Sequence, residues 1–396
     1  MSLEPYSQWK KWTKMRTRNL SIPMLICALV LGGCTVDMSQ SITFMPPTPT
    51  GVITATPPVT SQSSLFVQGL PTVTIPISWS DLNISGALVY ITLMYPTGAG
   101  QNQDPTMSIQ VLDLSSGVIT TLCQMTPGGW IYGLSVSPDD REIVMSYSPP
   151  GGGQWLYVMP LDGSAPPRQL FSPPSQDDQY LSPSWSADGK YLYYVHVNYA
   201  LPPIEPDQHY PIFQIYRMVY PDGPPEEIVD QAYWPRLSAD SSRLAYVSEN
   251  PQSGTNKLYV ANADGTDAQE VVLSGPYVPD FIDAPLFLPD GGTILFSAPD
   301  PPQASVPSWL DRLFGAIPAS AHSVPSDWWS VPLNGGVPTR LTQVAVPGLY
   351  ASLSPDNQHI ASFSGYGVFV MNPDGTDLTM VINDVGGILG TVNWIP

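Results

Sequence analysis

The groups in this 396-residue chain that could act as nucleophiles, redox centres or metal ligands are few: three cysteines and four histidines. Cys27 and Cys34 lie close to the N-terminus, and Cys123 ends the strand-like run Thr120-Thr121-Leu122. No His or Asp adjoins Cys123 in sequence, so it reads as a small core residue rather than a nucleophile. His196, His209, His322 and His359 are scattered without ligand spacing, and each reads as a surface or loop residue. The chain has no Gly-x-Ser-x-Gly elbow, no phosphate-binding Gly-x-x-x-x-Gly-Lys-Ser/Thr loop and no His-Glu-x-x-His. Two segments, Asn262-Ala263-Asp264-Gly265-Thr266-Asp267 and Asn372-Pro373-Asp374-Gly375-Thr376-Asp377, begin like calcium loops. Both lack the distal bidentate Glu, and both sit where a hairpin needs its turn. No catalytic residue, metal or cofactor is therefore expected.

The N-terminus offers different chemistry. Five basic residues, Lys10, Lys11, Lys14, Arg16 and Arg18, precede a short apolar run from Leu20 to Leu31. That run is too short to span a bilayer, and with its basic flank it reads as an export signal. It ends in Leu31-Gly32-Gly33-Cys34, which resembles the bacterial lipobox. The resemblance implies diacylation of the Cys34 thiol, cleavage before Cys34 and acylation of the new amine. Residues 1–33 are then a lipoprotein signal peptide. The competing reading is an uncleaved signal anchor with an inert, buried Cys34. After processing only Cys123 is free to pair, and one cysteine cannot form an internal disulfide. The exported fold must be held by its core.

Composition narrows the rest. With 46 Pro and 32 Gly the chain has little room for long helices. Beyond residue 33 it holds 9 basic and 32 acidic groups. Such a surface repels nucleic acid and anionic lipid headgroups, so membrane attachment falls to the lipid on Cys34. Residues 38–78 contain no charged residue or His and are rich in Pro, Ser and Thr. Together with Cys34 they read as a disordered tether, 34–78, tending to polyproline II.

From residue 79 the chain repeats. A strand, a turn of the type Ser-Pro-Asp-Gly and a second strand recur at Ser137, Ser186, Ser238, Leu288 and Ser354. The first two intervals, 49 and 52 residues, are close to the period of a propeller blade. A second hairpin with Gly at its turn follows each, at 154–163, 214–223, 257–265, 328–335 and 367–375, with a further copy at 108–117. Two hairpins make a four-stranded antiparallel unit that cannot bury both faces alone, whereas a ring of six can. The final Thr391-Val392-Asn393-Trp394-Ile395 looks like one more inner strand. It is expected to complete blade 1, with Ile77-Ser78-Trp79 as the rival for that place.

The segments Pro183-Ser184-Trp185-Ser186-Ala187-Asp188-Gly189, Val370-Met371-Asn372-Pro373-Asp374-Gly375 and Arg340-Leu341-Thr342 resemble the WD-like propeller repeat of TolB-type proteins. The resemblance covers 79–396 and implies an all-β, six-bladed β-propeller. It says less about activity, since the family spans envelope-complex components, peptidase propeller domains and lipoproteins.

In such a ring the Asp-Gly corners fall on one face, and the long loops and the loops entering each inner strand fall on the other. Trp130, Tyr132, Tyr180, Tyr233, Trp234, Tyr277 and Tyr350 enter on the long-loop face. Trp309 lies in the insertion 298–327, in a segment, 308–314, that reads as a short helix. Aromatic rings with few charges suit protein or carbohydrate contacts. The alternative is that they plug the channel and pack blade to blade. The expected protein is an exported lipoprotein monomer, anchored to the outer face of the cytoplasmic membrane or to a periplasmic or cell-surface membrane. Its propeller binds an envelope protein or a peptidoglycan- or glycan-associated partner without catalysis. The rival is a propeller enzyme acting on peptides or glycans in the central channel.

Overall fold

The computed structural model describes residues 72–74, 79, 82, 84–94, 104–198, 213–249, 255–299, 325–383, 385 and 390–396. The signal peptide, Cys34, most of the tether, Trp309 with its 308–314 segment, His209 and His322 lie outside the described residues.

Six antiparallel sheets form a six-bladed β-propeller. Blade 2 is β5 (Trp130–Val136), β6 (Glu142–Ser148), β7 (Trp155–Pro160) and β8 (Arg168–Gln169). Blade 3 is β9 (Asp178–Trp185), β10 (Tyr191–Asn198), β11 (Phe213–Val219) and β12 (Glu226–Asp230). Blade 4 is β13 (Ala232–Leu237), β14 (Arg243–Glu249), β15 (Asn256–Asn262) and β16 (Gln269–Glu270). Blade 5 is β17 (Asp283–Phe287), β18 (Thr293–Pro299), β19 (Ser326–Pro332) and β20 (Thr339–Arg340). Blade 6 is β21 (Tyr350–Leu353), β22 (Ile360–Ser364), β23 (Gly367–Met371) and β24 (Thr379–Asn383). Burial follows position in the blade. Second strands are covered on both faces and are buried along nearly their whole length, as in β6, Glu-Ile-Val-Met-Ser-Tyr-Ser. Outermost strands are short or exposed, as in β8 and β12.

Blade 1 closes the ring as the sequence pattern anticipates. Its innermost strand is the C-terminal β25 (Val392–Ile395), paired with β2 (Ala87–Met94), then β3 (Thr106–Asp113) and β4 (Val118–Gln124). Ala87 faces Ile395, and Tyr90 faces Val392. Trp79 is no inner strand. A fifth strand, β1 (Thr72–Thr74), pairs outside β4 and brings residues assigned to the tether into the blade.

The turn at the end of each inner strand explains the repeat. Ser137 donates its hydroxyl to Asp139 Oδ1 at 2.7 Å and accepts the N–H of Glu142 at 2.9 Å. Ser186, Ser238 and Ser354 do the same with Asp188, Asp240 and Asp356. The serine hydroxyl, more than any other group, holds these four carboxyls below the usual range, with Asp240 at about 2. Blade 5 has Leu288 in the serine position, and there Asp290 binds the Thr293 hydroxyl instead.

Joints between blades use two devices. Side chains of one blade bind backbone groups left open on the inner edge of the next. Thr391 Oγ1 and Asn393 Oδ1 accept the N–H of Leu134 and Val136, and Trp185 Nε1 donates to Ser135 O. Glycines in the outer hairpins let blades approach. Gly265 and Gly375 adopt φ of 83° and 84°. A Cβ on either would strike the carbonyl of Ile228 or Leu341 in the preceding blade. In blade 1 the corresponding Gly117 instead faces the indole of Trp79. Trp79 is buried and belongs to the same core cluster as Leu112 and Ile119 of blade 1 and Val381 and Ile382 of blade 6.

Removing residues 391–396 uncovers the inner edge of β2 and empties the seat of buried Trp394. We expect the melting temperature to fall by roughly 10 °C or more. Trp79→Ala should cost about 3–5 kcal/mol in chemical denaturation. A truncation that melts with the intact chain would contradict closure by β25.

Candidate functional site

Four inner strands are kinked where they pass the axis. The ladder registers of β5, β9, β13 and β17 each slip, leaving extra residues near Tyr132, Ser182-Pro183, Trp234-Pro235 and Ala284-Pro285. Proline has no N–H for the ladder, so it is accommodated at a bulge. The residue before each proline takes positive φ: 48° at Ser182, 59° at Trp234 and 48° at Ala284. This conformation is strained for residues with a Cβ and re-aims the side chain.

The bulges assemble a cluster across the axis. Trp234 Nε1 donates to Asp283 Oδ1 at 3.2 Å. The Trp234 indole lies 5.7 Å from the Tyr350 ring, and the Arg236 guanidinium stacks over that same ring at 4.1 Å. These contacts run from blade 4 to blade 6, past the small Ala284 of blade 5. Tyr350 and Asp283 are both buried. Burial pushes Asp283 up to about 7, against the opposing pull of the Trp234 bond. Burial also raises Tyr350, opposed by the Arg236 charge. Aromatic rings, a guanidinium and a carboxyl thus meet where the inner strands of blades 4, 5 and 6 converge.

A second polar cluster joins blade 3 to the loop that enters it. Asp178 accepts from His196 Nε2 at 2.7 Å, Asn198 Nδ2 at 2.8 Å and the N–H of Ser175 at 2.6 Å. Burial would raise this carboxyl, but the three donors outweigh it and hold it below its usual range. The His196 ring packs against Tyr180 and Tyr216. In blade 5, fully buried Asp327 binds Arg340, Thr342 and the N–H of Val344, which ties β19 to the loop after β20.

Of the aromatics expected to form a binding face, only Trp234 and Tyr350 come together, and they do so as a plug. Tyr180 is buried under Phe171 and Tyr194. Tyr233 packs on Phe213, and Tyr277 packs on Trp329 while donating its hydroxyl to Pro299 O. Trp130 is half-buried against the core shared by blades 1 and 2. Tyr132 is the exposed ring of the described set, at 37%. Trp309 lies outside the described residues. Cys123 is fully buried, and burial pushes its thiol up to about 12, so it is not a nucleophile at neutral pH. The Asn262 and Asn372 loops spend their oxygens internally: Asp264 and Asp374 each bind the threonine two residues on. Among the described residues no three His, Cys, Asp or Glu side chains gather as a metal site. Asp283 and Arg236 escape a reading based on motifs. The usable signals were a carboxylate within an inner-strand stretch, Asp-Ala-Pro-Leu-Phe, and Trp-Pro-Arg at the same place one blade earlier.

No family model matches the sequence, and no curated protein matches it. Solved structures do. The chain is similar to hydrazine synthase of Kuenenia stuttgartiensis, with TM-score 0.52 and 10% identity over 79% of this chain and 47% of that one. It is similar to a TolB of Agrobacterium tumefaciens, with TM-score 0.46 and 16% identity over 79% of this chain and 99% of that one. A puromycin-hydrolyzing peptidase of Mycobacterium tuberculosis matches with TM-score 0.44 and 20% identity, over 81% of this chain and 50% of that one. At these identities the likeness is one of fold.

Asp283 gives the plug a pH signature. Its folded-state value of about 7 lies above the ordinary carboxyl value of 3.8, so folding takes up a proton between them. Its stabilising contribution is complete below about pH 4 and is lost as pH rises through about 7, a span worth ~4 kcal/mol at most. Asp283→Asn keeps an acceptor for Trp234 and cannot ionise. Urea denaturation at pH 3.5 and 8.5 should find the variant close to wild type at the lower pH and more stable at the higher.

Proposed function

We propose that this chain is an exported lipoprotein, anchored through Cys34, whose propeller is a non-catalytic protein-interaction module. The observation that carries the non-catalytic reading is the axial plug. Trp234, Arg236, Tyr350 and Asp283 spend their polar and aromatic surfaces on one another where blades 4, 5 and 6 converge, which supports packing rather than catalysis at that place. That speaks against the rival, an enzyme working on peptides or glycans in the channel. The anchor rests on the basic segment, the apolar run and Leu31-Gly32-Gly33-Cys34. The net charge of −19 argues for partners other than nucleic acid or bare anionic membrane. On the long-loop side, exposed Tyr132 beside half-buried Trp130 is the described surface best suited to anchor an envelope protein.

Two measurements test this reading. Cys34→Ala should abolish labelling by a fatty-acid analogue and release the chain from washed membranes. Unchanged labelling would remove the lipid anchor. Tyr132→Ala should weaken cross-linked capture of an envelope partner about tenfold with the melting temperature preserved. Capture indifferent to that change would move the binding surface elsewhere.

A further inference from the structure

The face carrying the tight turns, opposite Trp130 and Tyr132, has a site of its own. Between the first turns of blades 4, 5 and 6 lies a pocket of about 440 Å³. Its walls are Leu237, Leu286, Leu288 and Leu353, and Ala239 stands on its rim. Leu237, Leu286 and Leu353 lie at the turn-side ends of inner strands β13, β17 and β21, so the pocket opens at the mouth of the axis. All four leucines are half-buried, each leaving apolar surface uncovered. Leu288 is telling. It occupies the position where blades 2, 3, 4 and 6 have the turn-forming serine. Blade 5 gives up that hydroxyl, rebuilds its turn through Thr293, and gains an apolar wall at the mouth.

The pocket itself is lined by one carboxylate, Asp240, and one guanidinium, Arg243, but over the wider turn face acidic groups are in excess. The first turns carry Asp139, Asp140, Asp188, Asp240, Asp290 and Asp356 against Arg141, Lys190 and Arg243. The outer hairpins add Asp113, Asp162, Asp222, Asp264 and Asp374 on the same face, with no Lys or Arg in those turns. Most of these carboxylates are held ionised by hydroxyl and backbone donors, as described for the repeat. An anionic lipid or acidic peptide is repelled here, while a cationic chain crossing the mouth is attracted over both rings of turns. A pocket of this volume takes one large side chain.

We propose that the turn-face mouth binds a cationic polypeptide segment, which inserts one bulky aliphatic or aromatic side chain between Leu237, Leu286, Leu288 and Leu353 while its Lys or Arg residues face the aspartates. This surface is separate from the one assigned to envelope capture, and either can fail without the other.

The test is fluorescence polarisation of the full chain with three labelled peptides, KKFKK, KKSKK and EEFEE, at low and high salt. KKFKK should bind at low salt and weaken as salt rises; KKSKK and EEFEE should each be weaker by about tenfold or more. Leu288→Ser removes a wall yet restores the turn used by four other blades, so the variant should fold and bind KKFKK about fivefold more weakly. Ala239→Trp, at an exposed rim position, should block the mouth, and Asp240→Asn should flatten the salt dependence while keeping its acceptor. The proposal is overturned if KKFKK does not bind, if KKSKK or EEFEE binds equally well, or if Leu288→Ser with an unchanged melting temperature binds as wild type does.

Discussion

A sheet with an open edge is the constraint to which this structure answers. Each blade alone would expose a row of backbone donors and acceptors and two apolar faces. The ring covers the faces by stacking blades, but a linear chain must still begin and end somewhere. The open edge of blade 1 is covered by β25, which pairs with β2, while Thr391 and Asn393 bind the inner edge of blade 2. Blade 6 is held from the same strand, since the Trp394 N–H donates to Ser352 Oγ. One four-residue strand therefore joins three blades.

The remaining order follows from how closely the blades approach. Where a hairpin glycine rests on the carbonyl of the preceding blade, the spacing is set by backbone against backbone. At the closing joint the nearest neighbour of the hairpin glycine, Gly117, is instead the Trp79 indole. At the axis, where the inner strands converge, prolines force bulges and the side chains swing across the opening. Closure, spacing and plug are thus three answers to one geometric demand, the filling of a ring whose circumference shrinks toward its centre.

The parts legible in the sequence are those decided locally. The Ser-x-Asp turns could be read because serine, aspartate and the strand that follows lie within a few residues. The closing strand could be read because Asn393-Trp394 repeats an inner-strand pattern beyond the sixth blade. The aromatics of the entry loops were legible as a set but not in direction. Whether Trp234 faces solvent or the axis depends on the bulge at Pro235, and its bond to Asp283 spans 49 residues between different blades. Trp79 misleads for a similar reason. Its neighbours Ile77-Ser78 alternate like a strand, while its role is set by Gly117 in a hairpin formed later in the chain.

The pairing of β25 with β2 also sets a timetable. Trp394 and its acceptor Ser85 lie 309 residues apart. On a chain emerging from the N-terminus at 5–20 residues per second, that interval lasts on the order of 15–60 s. Throughout it the inner edge of β2 has no partner, and the later blades accumulate on an incomplete first one. A nascent chain of this design is exposed at one defined place until β25 arrives, and that edge is where a chaperone has the most to protect.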